Sequence, residues 1–284
     1  MPYQGLFIGA TTLDLIYKSD RPLPKNQKVV ALDYLTAAGG PATNAAVAFS
    51  YFDNRSKLLS VVGQHPLAEL IKSDLNNCSV EIVDLAAERT ESPPISSIVV
   101  TANTGERAVI ATKTTKYQDD RVKSEDSLNL IDIILIDGHQ IEASLALAKM
   151  AGDRNIPVVM DGGSWKLGLD LIIPFVDYAI CSANFYPPSC HHYSDVFNFL
   201  QDKGVANIAI TNGERPIQYL DRGEISTLSV SQVDTVDTLG AGDIFHGAFC
   251  HYILSSDFPT ALSLAAKTAS KSCQFFGTRS WLQS

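Results

Sequence analysis

The 284-residue sequence has no excess of basic charge, no long apolar run and no close pair of cysteines. Its 22 lysines and arginines are outnumbered by 31 aspartates and glutamates, giving a net charge of −9. No basic run stands out, so a nucleic-acid partner is not expected. No stretch approaches the ~18 apolar residues that a membrane span needs, so no membrane partner is expected either.

The five cysteines are widely spaced, and the start of the chain lacks the basic and apolar regions of a signal peptide. Together these features predict reduced thiols and a cytoplasmic location. The short cluster Cys190-His-His192 is not interpreted as a metal site. Adjacent residues point to different sides of a helix or strand, and no second cluster has ligand spacing.

Two nucleotide-binding motifs are also missing. No G-x-x-x-x-G-K-[ST] occurs, which excludes a P-loop protein. Gly240 and Gly242, followed by Gly247, do not have the spacing of the dinucleotide fingerprint G-x-G-x-x-G. A nucleotide site in this chain must therefore be built in another way.

Short apolar runs alternate with helical stretches along most of the chain. This alternation predicts an α/β fold with a mostly parallel sheet covered by helices on both faces. The length suits one large domain with a small appendage. The strand-like runs are residues 6–10, 58–62, 131–136, 156–160, 178–181 and 206–210, and helical stretches include 141–150 and 195–201.

One region breaks the alternation. Residues 28–35, 95–101 and 107–112 are strand-like, and Asn103-Thr-Gly105 predicts a hairpin turn between the last two. These strands fit an antiparallel edge on the main sheet or a small separate sheet formed from two distant inserts, and the family resemblance given below favours the separate sheet.

The most informative motif is Asp237-Thr-Leu-Gly-Ala-Gly-Asp243, between a strand-like segment at 228–234 and an apolar-periodic one at 244–254. Its small residues allow backbone N–H groups to converge at a helix start and form an anion hole. Asp243 follows in the first turn, where a carboxylate that accepts a proton suits phosphoryl transfer to a hydroxyl. The structural alternative is a helix cap after an ordinary turn.

A second motif, Gly39-Gly-Pro-Ala-Thr-Asn44, precedes an apolar helical segment. A glycine pair allows a ligand to approach the backbone closely, and the amide of Asn44 suits a sugar hydroxyl. Asp14 follows the first strand, where open α/β sheets place ligand contacts. The structural alternatives are a turn residue for Asp14 and a helix cap for Asn44.

Together these residues resemble the PfkB/ribokinase family of carbohydrate and nucleoside kinases. Residues 237–243 match its D-T-x-G-A-G-D signature, and residues 39–44 look like its G-G-x-x-x-N signature. The resemblance covers nearly the whole chain, including Gly63, the Thr211-Asn-Gly213 loop and a C-terminal helix ending at Gly277.

The resemblance implies one ribokinase-like kinase domain over residues 1–284, with lid inserts at about 14–38 and 90–116. The implied reaction transfers the γ-phosphoryl group of ATP to a sugar hydroxyl, with Mg²⁺ and in some members K⁺. The expected partners are a small sugar, ATP and a second copy of the chain bound through the lid. The implied site residues are Asp243, Gly240, Ala241 and Gly242 for catalysis, Asp14, Gly39, Gly40, Asn44 and Arg107 for the sugar, and Asn184, Thr211, Gly213, Thr238, Gly240, Gly242 and Ser270 for ATP.

The sequence departs from the family pattern at several positions. Pro41 stands where ribokinases often carry lysine, and the N-x-x-E motif is here Asn184-Phe-Tyr-Pro187. Without that glutamate, Mg²⁺ is expected to rely on Asn184, water and the phosphates, and no metal ligand is assigned. Ketohexokinase-like members depart at the same motif, which favours a ketose or a related sugar. A nucleoside kinase and a non-catalytic sugar or nucleotide sensor remain as alternatives.

Overall fold

The computed structural model describes residues 2–102, 104–113, 125–221 and 223–284. In chain order the strands are β1 (Gln4–Ile8), β2 (Thr12–Ser19), β3 (Asp33–Gly39), β4 (Arg55–Ser60), β5 (Val80–Asp84), β6 (Ile95–Thr101), β7 (Arg107–Ala111), β8 (Ile133–Ile136), β9 (Val158–Gly162), β10 (Tyr178–Ser182), β11 (Asn207–Asn212), β12 (Arg215–Asp221) and β13 (Glu224–Leu228). The helices are α1 (Pro41–Ser50), α2 (Ala68–Asn77), α3 (Ile141–Asp153), α4 (Leu169–Ile172), α5 (Tyr193–Asp202), α6 (Ala241–Ile253) and α7 (Phe258–Ser272).

The main sheet has nine strands in the order β13-β12-β11-β10-β9-β8-β1-β4-β5. Its pairs are parallel from β11 to β5, and β12 and β13 are joined antiparallel at one edge. The strand order reverses between β1 and β8, where open α/β sheets place ligands beyond the carboxyl ends of the strands. The loops that follow these two strands therefore border the expected site.

Helices cover both faces of this sheet. Leu6 of β1 lies in one core with Leu147 of α3, whereas Phe7 lies in a second core with Phe249 of α6. Neighbouring strand residues point to opposite faces, so the apolar run of β1 supplies both cores. Helices α3, α4 and α5 line one face, and α1, α2, α6 and α7 line the other. The predicted fold class is confirmed.

A second sheet of four strands, in the order β3-β2-β6-β7, is separate from the main one. Its strands come from two inserts, one between β1 and α1 and the other between β5 and β8. The prediction of a separate sheet is confirmed, and the alternative of an antiparallel edge on the main sheet is wrong. Asn103, in the predicted hairpin turn, lies outside the described residues.

The small sheet packs one face against the loop that precedes α6. Its buried residues Ile16, Ile98 and Val100 form a cluster with Leu239 of that loop and Phe276 beyond α7. Because a sheet this small cannot form a core alone, the main domain supplies the missing apolar partners. This packing holds the two inserts over the Asp237–Asp243 motif.

Several predicted boundaries are wrong. Only residues 33–35 of the segment predicted at 28–35 are strand, and β2 was not predicted at all. The strand predicted at 228–234 ends at Leu228, because further pairing with β12 would oppose it to Pro216, which has no N–H. The last helix ends at Ser272 instead of Gly277. The Cys273 carbonyl beyond that end accepts from the N–H groups of Val236 and Asp237, so the chain leaves the helix to hold the motif.

Candidate active site

The start of α6 carries free backbone donors. Gly240 caps the helix with φ +71°, and a Cβ there would lie 2.8 Å from Cγ2 of Thr278, so glycine is required. In the described part of the chain, no acceptor bonds the N–H of Gly242 or Asp243. A Cβ on Gly242 would likewise meet no described atom within 4 Å. The loop therefore presents unbonded N–H groups to open space, which fits a phosphate oxygen.

Asp237 stabilises this loop through two hydrogen bonds from backbone N–H groups. Its carboxylate accepts from the N–H of Leu239 at 2.9 Å and from that of Gly277 at 2.9 Å, and the residue is buried. Burial raises the pKa of Asp237, and the two N–H groups act against that rise. These bonds join the Asp237 loop to the segment that follows α7.

Asp243 has the chemistry of a general base. Its Oδ2 accepts a 2.8 Å hydrogen bond from Nδ2 of Asn44. Desolvation, with the charge of Asp161 adding to it, raises the pKa of the Asp243 carboxyl to about 7. No side chain among the described residues caps α6, so a capping role for Asp243 is not supported. A carboxylate with a pKa near neutrality can take up a proton during turnover.

Asp161 and His246 lie close to Asp243, and both are buried. The two ring nitrogens of His246 face the carbonyl oxygens of Gly242 at 2.7 Å and Ile180 at 3.1 Å. Hydrogen bonds to both oxygens at once require a proton on each nitrogen. Asp161 Oδ2 lies 3.7 Å from His246 Nδ1. The pair ties the first turn of α6 to β9 and β10.

Four of the five expected sugar residues, all except Arg107, come together where the small sheet meets α1. Asp14 lies within β2, not in a turn, and Thr12 Oγ1 donates to it at 2.7 Å. A Cβ on Gly39 would lie 2.0 Å from Asp14 Oδ2. Gly40 has φ +103°, and a Cβ there would lie 2.3 Å from the Ala10 carbonyl. The glycine pair is thus needed for this close approach. Burial raises the pKa of Asp14, while hydrogen bonds from Thr12 and Ser96 lower it.

Asn44 lies in the first turn of α1, with its amide joined to Asp243. The residue at the N-cap position is Gly40, and no side chain among the described residues caps α1. The cap interpretation of Asn44 is therefore wrong. Since Gly39 touches Asp14 and Asn44 touches Asp243, the two sequence motifs form one site.

Asp137, after β8, was not predicted as a site residue. Its buried carboxylate accepts from the N–H groups of Ala10 at 2.9 Å, Ala42 at 3.2 Å and His139 at 2.9 Å. Burial alone would raise its pKa, but the charge and ring of His139, the charge of Lys166 and the Ala10 N–H lower it to about 2. Asp137 thus occupies the amino end of α1 and fixes the loop after β1. The available signal was its position directly after the strand predicted at 131–136, as Asp161 directly follows the one predicted at 156–160.

The residues expected near ATP lie on two neighbouring strand ends and on the loop. Thr211 pairs with Ser182 in register, and Asn184 N–H donates to Ser182 Oγ at 3.1 Å. Gly213 has φ +57°, with no described atom within 4 Å of a Cβ placed there. Ser270 is directed elsewhere, because its hydroxyl donates to the Ser231 carbonyl at 3.3 Å.

Arg107 reaches the Asp237–Asp243 loop from the small sheet. Its Nη1 donates to Thr238 Oγ1 at 3.1 Å, between β7 and the Asp237–Asp243 motif. A positive charge is thereby placed beside the loop. The contact also uses the Thr238 hydroxyl, which was expected near ATP.

The family follows from a comparison with known proteins. Residues 5–284 match the model of the pfkB family carbohydrate kinases. The chain belongs to the pfkB family. It is therefore a carbohydrate kinase, as the sequence predicted.

Individual kinases resemble the chain at low identity. A deoxyribokinase of Salmonella typhi is 24% identical over 291 residues, covering 96% of this chain and 93% of that protein. The ribokinase structure from Giardia lamblia has a TM-score of 0.81 at 15% identity and covers 99% and 96% of the two chains. The Arabidopsis thaliana ribokinase structure complexed with ribose and ATP has a TM-score of 0.75 at 18% identity, covering 99% and 98%. No helix in the described part of the chain is long and apolar enough to span a membrane.

Proposed function

We propose that this pfkB kinase transfers the γ-phosphoryl group of ATP to a hydroxyl of a small sugar, with Asp243 as the base. The observation that carries the proposal is the position of Asp243. In the first turn of α6, where the N–H groups of Gly242 and Asp243 are unbonded among the described residues, its carboxylate accepts from the Asn44 amide and has a pKa raised to about 7. A base beside an anion hole is the arrangement that phosphoryl transfer to an alcohol requires.

In this mechanism Asp243 accepts the proton of the acceptor hydroxyl as the bond to phosphorus forms. The N–H groups of Gly242 and Asp243 hold the equatorial oxygens of the transferring group, where negative charge is greatest. Asp14 and Asn44 orient the acceptor, and Arg107 supplies positive charge beside the loop. Mg²⁺, when bound, neutralises charge on the β- and γ-phosphates.

The metal is expected to be held mainly by ATP. The described residues contain no group of three or more histidine, cysteine or acidic side chains that could hold a metal ion. Asn184 is exposed at the end of β10 and is the remaining protein contact that the sequence predicted. A K⁺ ion beside the loop stays a prediction.

A free sugar is the acceptor class that this proposal favours. The carboxylate of Asp14, with Ser96 beside it, and the Asn44 amide offer hydrogen bonds to hydroxyl groups. The names of the similar proteins, deoxyribokinase and ribokinase, support a pentose or a related sugar. Ketoses stay in consideration because the N-x-x-E glutamate is missing.

An acceptor screen tests the proposed function. ADP formation is measured with Mg²⁺-ATP and separate ketoses, aldoses, 2-deoxy sugars and nucleosides. We expect at least one free sugar to raise ADP formation well above the rate with ATP alone, and Asp243→Asn to abolish that increase. Turnover with nucleosides only would identify a nucleoside kinase. Binding of ATP and sugar without turnover of any acceptor would identify a sensor.

The outer face of the small sheet predicts a homodimer. Tyr17, Tyr34 and Ile110 lie on the face opposite to the buried Ile16 and are 37%, 71% and 78% exposed. Apolar side chains repeated across neighbouring strands are costly in water unless a partner covers them. A second copy presenting the same face would cover them and hold the sheet in place as a lid.

Light scattering tests the homodimer. The unmodified chain should have the mass of two copies, and Ile110→Asp combined with Tyr34→Asp should give one. Ile225→Asp is the matched control, because Ile225 is also exposed, at 57%, but lies in β13 at the edge of the main sheet. A strict monomer at all concentrations rules out the dimer and leaves the lid in place.

A further inference from the structure

Both ends of the Asn44 amide are bonded within the protein. Its Nδ2 donates to Asp243 Oδ2 at 2.8 Å, and its Oδ1 accepts from Arg279 Nη1 at 3.0 Å. The sequence assigned this amide to the sugar, yet one N–H and one lone pair are already used. Asn44 therefore links the proposed base to an arginine that follows α7.

Arg279 is held on several sides. Its Nε and Nη2 donate to Asp74 Oδ2 at 3.1 and 3.0 Å, and its Nη2 also donates to the Ala38 carbonyl. Its Nη1 further contacts Thr278. The Arg279 side chain is only 10% exposed, and Asp74 in turn accepts from the Ala38 N–H at 2.9 Å. A guanidinium with this many partners cannot turn away from Asn44.

The chemistry of this arginine selects one orientation of the amide. The two ends of an asparagine side chain have nearly the same shape, so packing alone does not distinguish them. Guanidinium has donors and no acceptor, so the amide oxygen must face Arg279. The NH₂ group then faces Asp243. In the reverse orientation, two oxygens would face each other at Asp243, and the arginine donor would face an NH₂ group.

We propose that Arg279 is a positioning residue for the catalytic base, acting through the orientation of the Asn44 amide. The amide holds Oδ2 of Asp243 and leaves Oδ1, which no described residue contacts by a hydrogen bond, for the acceptor hydroxyl. This inference rests on the proposed role of Asp243. It assigns Arg279 no contact with substrate.

Steady-state kinetics of Arg279→Gln and Arg279→Lys test the proposal. We expect kcat to fall about 10-fold or more in Arg279→Gln, with KM for ATP within about two-fold of the unmodified enzyme. Arg279→Lys keeps the positive charge but not the planar guanidinium group, so its kcat should lie between those of the unmodified enzyme and Arg279→Gln. Arg55→Gln is the control, because exposed Arg55 begins β4 at the opposite end of the sheet.

A double-mutant cycle with Asn44→Ala separates positioning from structural damage. If Arg279 acts through Asn44, adding Arg279→Gln to Asn44→Ala should change kcat by less than about three-fold. Full multiplication of the two losses overturns the proposal, because Arg279 would then act through Ala38 and Asp74. Normal kcat in Arg279→Gln overturns it as well. Near-normal kcat in Asp243→Asn would instead contradict the proposed function itself.

Discussion

Replacing Asp243 with asparagine should lower kcat by about 100-fold or more, because the substituted enzyme has no group at the anion hole that can accept the hydroxyl proton. The side chain keeps its shape, and the N–H groups of the loop are unchanged. Binding of ATP, measured by calorimetry, should therefore stay within about two-fold. Near-normal turnover would remove Asp243 from the mechanism and make it a structural residue at the start of α6.

The pH dependence of the unmodified enzyme provides an independent measurement. Burial raises the pKa of Asp243 from 3.8 to about 7, so kcat/KM of the unmodified enzyme should fall as pH drops below about 7.

The raised pKa also affects stability. Between pH 3.8 and about 7 the folded state keeps a proton on Asp243 that the unfolded state releases. The free energy of unfolding therefore falls as pH rises through this range.

Asp243→Asn has no carboxylate to ionise and should escape that loss. Its gain in Tm over the unmodified protein should be larger at about pH 8 than at about pH 4. Thermal unfolding at the two pH values measures the difference. Equal Tm differences at both would mean that burial of Asp243 costs nothing when it is charged.

Local patterns in the sequence were enough to predict the loop and the fold class. The glycines of residues 237–243 report a backbone requirement that the structure shows directly, since Gly240 has a positive φ and no room for a Cβ. The alternation of apolar runs with helical stretches likewise indicates a parallel sheet, because a strand buried on both faces consists mostly of apolar residues. These signals are contained within a few residues of the chain.

The rest of the site depends on contacts between distant segments. Asn44 reaches Arg279 across 235 positions and Asp243 across 199 positions of the sequence. No periodicity or spacing encodes such a pairing, so the sequence assigned Asn44 to the sugar alone. The contacts of His246 were not predictable from the sequence either, because its partners include backbone carbonyl groups, which every residue type carries.

The small sheet shows a similar limit. Its second insert was predicted because residues 95–101 and 107–112 are strand-like with no helix between them. The first insert was predicted only in part, since Asp14 and Thr12 gave β2 a polar start that resembles a loop. A strand forms there nevertheless, because Thr12 and Ser96 give the buried Asp14 carboxylate its hydrogen bonds.

Removal of the Asp14 carboxylate should weaken sugar binding at least ten-fold, because a hydrogen bond to a charged group contributes about 1.5–3 kcal/mol. Asp14 lies against Gly39, which precedes α1, with Thr12 and Ser96 beside it. The N–H groups that would hold ATP lie on a different element, so ATP affinity of Asp14→Ala should change by less than about two-fold. Calorimetry with the acceptor identified in the screen, and separately with ATP, measures both affinities.

Asp33→Ala is the matched control, because Asp33 is an exposed aspartate at the start of β3 in the same sheet. Equal losses of sugar and ATP affinity in Asp14→Ala would mean that the change damages the packing of the small sheet, and Asp14 would then lose its assignment to the sugar.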